Sequence, residues 1–329
     1  MTEEETTDVQ LTRRQLLGTL VGAAAAGLGS PRPLSAQDKA RIVRVESSQV
    51  WVRDRVDERV IAAMIDKGVV ALTGETSPEQ AWRRFFKPGM RVGLKINLLG
   101  RPTIYTAPEL TEAVAAAVIA TGVKPDDVIV WDRHAEHFPP TRYVPGRGKH
   151  GERIEIGGKY DSTRALRASG GTAPIDRIAV ERTDVTVNLP VLKDHSSSGV
   201  TMALKNIAFG CYDHHWRAHS SNCDPYIAEA YQHFVSVTRV PLIILDATEA
   251  CYDGGPDPGN RSCIWRENAI YLATDPVAFD VVGRRLIMEK RRANGLGDKT
   301  RQARHIETAA GKGLGVGDPA RIEVMTVRV

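Results

Sequence analysis

The chain has 329 residues, of which 42% are hydrophobic and 26% charged, and its formal net charge is +4. This length and composition are those of a folded protein with one large domain or two closely joined ones. The charges are interspersed, without the dense basic stripe or interleaved aromatic residues of a nucleic-acid-binding protein, so no nucleic-acid partner is expected.

The N-terminus has the layout of a twin-arginine signal peptide. Arg13 and Arg14 precede an uncharged, apolar run over residues 16–29, which is shorter than the roughly 18 residues of a membrane-spanning helix. Ala36 suits cleavage before Gln37. We therefore expect the twin-arginine export machinery to move the folded protein into the periplasm or out of the cell, with removal of residues 1–36 and no permanent membrane anchor.

Strand and helix patterns alternate after the leader. Residues 91–97 read as a buried strand, residues 108–121 as a helix capped by Thr106, and residues 128–131 as a second strand. This order predicts a Rossmann-like crossover unit, whose functional loops follow the carboxyl ends of the strands. The side chains at these ends include Asn97, Arg101 and His134.

Further strands are predicted at residues 185–189, 242–246 and 269–272. Residues 138–173 are rich in Gly, Arg and Lys and poorly periodic, which predicts a long excursion with one short strand. A helix is expected over residues 198–207, and Asp275 caps a long helix that begins at Pro276. The fold class is therefore α/β, with a mixed, mostly parallel sheet and helices on both faces, in one domain over residues 37–329 with its core at about 90–285.

Lys193, His195 and Lys205 form the first candidate site. They bring two ammonium groups and an imidazole to one strand-to-helix junction. Such a junction binds anions, and a helix N-terminus near Ser198 would add backbone donors. Crowded cations also lower the pKa of a lysine, which helps it act as a base or nucleophile. The alternative is that Lys205 is a solvated helix residue and His195 packs a loop.

Potential metal ligands are concentrated in the next segment, at Cys211, His214, His215, His219 and Cys223. Imidazole and thiolate groups bind zinc, iron, nickel or copper, whereas a polar loop can also carry histidines without a metal. The cysteines at positions 211, 223, 251 and 263 leave three interpretations open: two local disulfides, one disulfide between the two segments, or a four-cysteine iron–sulfur or zinc site.

Several short motifs resemble the domain of unknown function family numbered 362. They are Lys95-x-Asn97, the segment 188–195 that ends Lys193-x-His195, Leu204-Lys205-Asn206, and residues 274–280. The resemblance covers most of residues 90–285 and implies the fold and the position of a site rather than a reaction. Around the centre formed by Lys193, His195 and Lys205, we assign substrate binding to Lys95, Asn97, Arg101, His134 and Asn206.

A second, more distant resemblance is to the nickel-pincer lactate racemases. In that family a histidine is followed ten residues later by the lysine that binds the pincer cofactor, across a Gly/Ser-rich stretch. His195 and Lys205 have this separation, across residues 196–199. The loop at residues 99–102 is similar to the family's Arg-Pro loop, whereas Ala203-Leu204 replaces its glycine pair. The resemblance implies a metal-containing cofactor at this position.

We therefore expect an extracytoplasmic enzyme, an isomerase or an oxidoreductase, that uses a transition metal or metal-containing cofactor on a small anionic substrate. The first alternative is a non-catalytic protein that binds a metal or a small anion. The second is an electron-transfer partner with an iron–sulfur cluster, which requires the four cysteines to converge. Convergence of the strand-end groups, with perturbed lysine and histidine pKa values, would favour the enzyme.

Replacing Arg13 and Arg14 with Lys should leave unprocessed precursor in the cytoplasm, because the paired arginines are the signal that the export machinery reads. Fractionation and immunoblotting of the full chain in its host measure this. Unchanged export of the double variant would contradict a twin-arginine route.

Overall fold

Parallel strands with helices packed on both sides organise the chain between residues 39 and 329. The computed structural model describes residues 39–169, 171–213, 218–219 and 221–329, and the predicted leader lies outside them. Lys39–Val329 forms one compact unit. None of the described helices is both long and apolar enough to cross a bilayer.

The strands before the middle of the chain are β1 (Ala40–Glu46), β2 (Trp51–Val52), β3 (Arg55–Val56), β4 (Val92–Lys95), β5 (Val128–Asp132), β6 (Gly146–Arg147), β7 (Arg153–Ile156) and β8 (Tyr160–Ala168). Those after it are β9 (Gly171–Asp176), β10 (Val185–Asn188), β11 (Val191–His195), β12 (Gly199–Thr201), β13 (Leu242–Cys251), β14 (Ile264–Trp265), β15 (Ala269–Ala273) and β16 (Ile322–Arg328). The helices are α1 (Glu58–Thr73), α2 (Pro78–Arg83), α3 (Pro108–Ala120), α4 (Ala203–Gly210), α5 (Tyr226–Val237), α6 (Pro276–Ala293) and α7 (His305–Gly311).

The main sheet has the strand order β16-β1-β15-β13-β10-β4-β5-β7-β6. Five adjacent strands, from β13 through β10, β4 and β5 to β7, are parallel, while β15 and β6 run antiparallel to their neighbours. Strand β13 is long enough to pair with β10 along its first half and with β11 along its second. The predicted mixed, mostly parallel α/β sheet is therefore confirmed.

Helices cover both faces of this sheet, and each face has its own hydrophobic core. Residues of β13 alternate between the two cores: Ile244 packs with α1, α2 and α3, whereas Ile243 and Leu245 pack with α4, α5, α6 and α7. This alternation follows from the two-residue period of a strand. The sheet is thus buried on both sides, as parallel sheets are.

The crossover from β4 through α3 to β5 forms as predicted, but the start of α3 does not. Its N-cap is Ala107, and Thr106 makes no capping bond. The Thr106 hydroxyl instead donates to the Leu189 carbonyl at 2.9 Å, and the Ala107 N–H donates to the Asp246 carboxylate at 2.7 Å. Long-range partners therefore replace the expected local capping box.

Two other sequence predictions were wrong in their details. The helix expected at residues 198–207 begins at Ala203, because Gly199–Thr201 folds back as β12 and pairs with β11. The excursion at residues 138–173 contains the expected short strand, which is β7 and joins the main sheet. It also contains strands that were not expected, namely β6, β8 and the start of β9, and β8 forms a hairpin with β9.

Asp275 and Asp280, in the last family motif, have separate capping roles. Asp275 accepts the N–H groups of Val277 and Ala278 and so starts α6, as predicted. Asp280 is fully buried within α6 and accepts the first N–H groups of a different helix, those of Ala203 at 2.8 Å and Leu204 at 3.2 Å. One motif thus positions both α6 and the helix that carries Lys205.

Asp280→Ala should destabilise the protein by about 2–4 kcal/mol, because two buried N–H groups lose their acceptor at a cost of roughly 1–3 kcal/mol each. Urea denaturation measures the change. Asp298→Ala is the control: Asp298 is exposed and caps only Thr300, so its loss should cost less than about 1 kcal/mol. Equal effects for the two variants would contradict the role of Asp280.

Candidate functional site

A buried network of hydrogen bonds joins the carboxyl ends of β4 and β10 to α4. The Asn97 amide donates to Asn206 Oδ1 at 2.8 Å, and the Asn206 amide donates to Asn188 Oδ1 at 2.8 Å. Lys193 Nζ donates to Asn97 Oδ1 at 2.8 Å and also to the Leu99 carbonyl. Three residues predicted separately, Asn97, Asn206 and Lys193, are therefore in direct contact.

Lys95 lies beside this network and forms a buried ion pair. Its Nζ is 2.9 Å from Asp132 Oδ1, on the adjacent β5, and 2.7 Å from the point that a Cβ on Gly210 would occupy. Burial alone would raise the pKa of Asp132, but Lys95 and the backbone N–H groups of Leu98 and Arg133 lower it. Lys95 is thus engaged within the protein at this edge of the sheet.

The hydrogen bonds of His195 determine which nitrogen carries its proton. The backbone N–H groups of Ser197 and Ser198 donate to Nδ1, at 3.1 and 3.2 Å. A neutral imidazole that accepts at Nδ1 has its proton on Nε2. Burial and then the charge of Lys205 also lower the pKa of His195 far below its usual range. His195 is therefore a neutral side chain with an Nε2–H donor.

The prediction that a helix N-terminus near Ser198 donates to an anion is wrong, because these N–H groups already have partners within the protein. The backbone donors there face His195, and the true start of α4 gives its first N–H groups to Asp280. An anion at this junction would thus be bound by side chains rather than by a helix N-terminus.

Both candidate lysines are buried, and each has a lowered pKa. Burial is the main cause, and it lowers the pKa of Lys193 to about 7 and that of Lys205 to about 8. The Lys205 side chain is 3% exposed, and its Nζ lies 3.6 Å from the centre of the Phe209 ring. Among the described residues, no hydrogen-bond acceptor contacts that Nζ. The alternative of a solvated helix lysine is therefore wrong.

His305, at the start of α7, belongs to the same region and was missed from the sequence. It is fully buried, and neither of its ring nitrogens has a hydrogen-bond partner among the residues that the structure describes. After burial itself, the charge of Lys205 is the largest influence that lowers its pKa, to about 3, and His305 in turn affects His195. No sequence motif marks this histidine, because it lies in an ordinary apolar helical pattern.

The segment before α7 is tied to β11 by charged groups. Asp194, which lies between Lys193 and His195, is fully buried and accepts from Lys299 Nζ at 2.7 Å and from the Gly255 N–H at 2.7 Å. Arg291 Nη1 lies 3.9 Å from the same carboxylate. These contacts hold the strand that carries both Lys193 and His195.

Arg101 and His134 have partners other than the two lysines. Arg101 pairs with Asp257 at 3.8 Å, and His134 Nε2 accepts from Arg133 Nε at 2.8 Å. Arg133 also influences the pKa of Lys205, which links His134 to the site indirectly. Neither residue has a direct bond to Lys193, His195 or Lys205 among the described contacts.

The predicted metal segment is described only in part, since His214 and His215 lie outside the described residues. His219 stacks on His195 with ring centres 6.0 Å apart. In the described part of the chain, no three His, Cys, Asp or Glu side chains are arranged to hold a metal ion. Cys211, Cys223 and His219 therefore do not form a metal site by themselves.

The cysteines occur in two separate places. Cys211 and Cys223 are buried in the core beside α4 and α5, whereas Cys251 and Cys263 pack near β13 and β14. All four are free thiols, so neither of the two disulfide patterns that the sequence left open forms. Burial raises the pKa of the Cys251 thiol to about 12, as expected of an unreactive side chain.

A pocket of about 420 Å³ lies elsewhere, beside the loop after β4. Its arginines are already paired: Arg142 with Glu109, and Arg261 with Glu249. Lys205 and His305 differ because they retain unused hydrogen-bonding capacity. We therefore place the candidate site at the lysines and histidines rather than in this pocket.

A sequence profile described as "Domain of unknown function (DUF362)" matches residues 92–285, more than half of the chain. The chain belongs to the DUF362 family. The DUF362 region contains the lysine–asparagine network, His195 and Lys205, and it ends before His305. The resemblance to lactate racemases stays a prediction.

One relative is the "Thylakoid-associated protein sll1697" of Synechocystis sp. (strain ATCC 27184 / PCC 6803 / Kazusa), which is 32% identical over 221 residues. The match covers 60% of this chain and 63% of that relative. A crystal structure of a Thermotoga maritima protein matches 58% of this chain and 51% of its own, with 13% identity and a TM-score of 0.36. That overlap is too low to support an argument.

Lys205→Met should raise the free energy of unfolding at pH 7 by about 1–3 kcal/mol, because it removes a buried ammonium. The wild-type pKa of Lys205 is about 8 when folded and 10.5 in its ordinary state. Between these values the unfolded chain binds more protons, so wild-type stability rises with pH and the advantage of the variant shrinks.

Urea denaturation of both proteins at pH 7 and pH 10 measures this difference. Lys312→Met, at an exposed position after α7, should show no such pH dependence. An advantage of Lys205→Met that is the same at both pH values would argue against a buried, shifted ammonium.

Proposed function

We propose that this protein is an exported enzyme that acts on a small anionic substrate, with Lys193, His195 and Lys205 at its centre. The observation that carries the proposal is the pair of buried lysines with pKa values of about 7 and 8 beside a neutral histidine. Strongly perturbed groups that cluster at the carboxyl ends of parallel strands are typical of active sites.

In the proposed enzyme, Lys205 and His195 bind the anionic substrate. The Lys205 ammonium has donors that no described acceptor uses, and His195 presents Nε2–H. An oxyanion placed between them would receive charge-assisted hydrogen bonds in a region from which water is largely excluded. Such bonds are stronger than those between neutral groups.

In the proposed enzyme, Lys193 transfers a proton to or from the substrate. A pKa of about 7 leaves a substantial fraction of the amine deprotonated at neutral pH, which is the condition for an efficient general base or acid. Asn97 and the Leu99 carbonyl fix the position of its nitrogen. The substrate is held by Lys205 and His195 while Lys193 accepts or returns a proton.

The metal-containing cofactor stays part of the proposal, but the described residues do not themselves provide a site for one. His195 has its proton on Nε2 and accepts at Nδ1, so neither nitrogen is free to bind a metal in this state. Support comes from the sequence, through His214, His215 and His219. Metal analysis and an absorption spectrum of protein purified from its native host test this part directly.

Lys205→Ala should weaken binding of small oxyanions strongly, whereas Lys312→Ala should leave it unchanged. Lys205 is buried and its charge lowers the pKa values of His195 and His305, while Lys312 is exposed and lies 3.5 Å from Gln232 Oε1. Loss of charge-assisted bonds of about 1.5–3 kcal/mol each should weaken binding at least about tenfold. Calorimetric titration of the full chain with acetate and with inorganic phosphate gives the dissociation constants.

Incubation with a panel of small carboxylates in heavy water separates an enzyme from a binding protein. A lysine base should exchange hydrogens next to the carboxylate for deuterium, which NMR detects, and Lys193→Met should lose this exchange while it still binds the anion. Binding without exchange for every substrate would favour the non-catalytic alternative. Equal anion binding by wild type and Lys205→Ala would refute the proposed site.

A further inference from the structure

His305 is an unusual buried histidine because its polar atoms are unsatisfied. His305 is 0% exposed, yet within the described part of the chain neither Nδ1 nor Nε2 has a hydrogen-bond partner. Most buried polar groups in folded proteins are paired, and an unpaired one reduces stability. An unpaired group that persists therefore calls for a ligand, a water molecule or a functional role.

The neighbours of His305 have unused donors as well. Lys205 Nζ contacts the Phe209 ring but no described acceptor, and the described hydrogen bonds of His195 are made through Nδ1 alone. The three groups influence each other electrostatically, since Lys205 acts on His305 and both act on His195. Three buried groups that influence one another electrostatically are thus an ammonium, an Nε2–H donor and an imidazole whose two nitrogens have no partner among the described residues.

The segment just before His305, which lies outside the DUF362 match, packs closely against the turn after His195. A Cβ on Gly199, four residues after His195, would lie 2.7 Å from the Lys299 carbonyl and 3.0 Å from Ala303 Cβ. Gly199 also has a φ of +73°, which favours glycine. The segment that leads into α7 therefore lies directly on the turn after β11, and Lys299 is paired with Asp194 there.

We propose that His305 is a ligand-binding residue of this site, and that the ligand is a small oxyanion, a carboxylate or a phosphate, with one oxygen bound by Lys205 and His195 and another by His305. This inference rests on the proposed function and adds a third binding group to it. All three residues can act as hydrogen-bond donors, and the neutral imidazole of His305 donates through either nitrogen. A single-atom anion would leave His305 unsatisfied.

His305→Phe should raise the melting temperature of the ligand-free full chain by about 2–6 °C, because it removes an unpaired buried polar group. It should also weaken binding of acetate or inorganic phosphate at least about tenfold, by removal of one hydrogen bond to a charged group. The anion with the larger wild-type response identifies the oxyanion class. His305→Leu is tested in parallel, since Phe is slightly larger than His.

His233→Phe is the matched control. His233 Nδ1 is 2.8 Å from the Tyr212 hydroxyl, so this variant should lower the melting temperature and leave anion binding unchanged. If both apolar His305 variants bind the anion like wild type while Lys205→Ala does not, the role of His305 is wrong but the proposed function stands. A loss of stability in both variants would also overturn it. If wild type and Lys205→Ala respond alike, the proposed function itself fails.

Discussion

The site depends on the buried amide of Asn206, which joins two strands and a helix. It accepts from Asn97 at the end of β4 and donates to Asn188 at the end of β10. An amide can do both at once without adding charge. Breaking either bond would leave buried polar atoms unpaired, at a cost of about 1–3 kcal/mol each. The strands and α4 are therefore held in one relative position, and Asn97 in turn holds Lys193.

The two lysines of the candidate site occupy buried positions that reduce the stability of the fold. Lys193 and Lys205 are both buried, and their lowered pKa values measure how strongly the protein disfavours their charged forms. His305 adds an imidazole for which the described residues provide no hydrogen-bond partner. Natural proteins retain such unfavourable groups chiefly where they serve function. The same burial that destabilises these side chains would strengthen their bonds to an anion.

Buried carboxylates fix the backbone segments that carry the residues of the candidate site. Asp280, within α6, binds the first N–H groups of α4 and so sets the direction of the helix that carries Lys205. Asp194 is held by Lys299 and by the backbone of Gly255, which fixes the strand between Lys193 and His195. The family match ends at residue 285, yet Lys299, which lies beyond it, holds the carboxylate between Lys193 and His195.

Local patterns in the sequence determined the strand at Val92–Lys95, the crossover through α3, the cap at Asp275 and the mixed sheet, because hydrophobic periodicity and capping depend on residues close in the chain. They also indicated the cluster of Lys193, His195 and Lys205. Only the tertiary structure decided that Gly199–Thr201 forms a strand, that Thr106 bonds to Leu189, and that His305 is buried with no hydrogen-bond partner among the described residues. Each of these depends on partners brought together by packing rather than by position in the chain, and no local pattern encodes such partners.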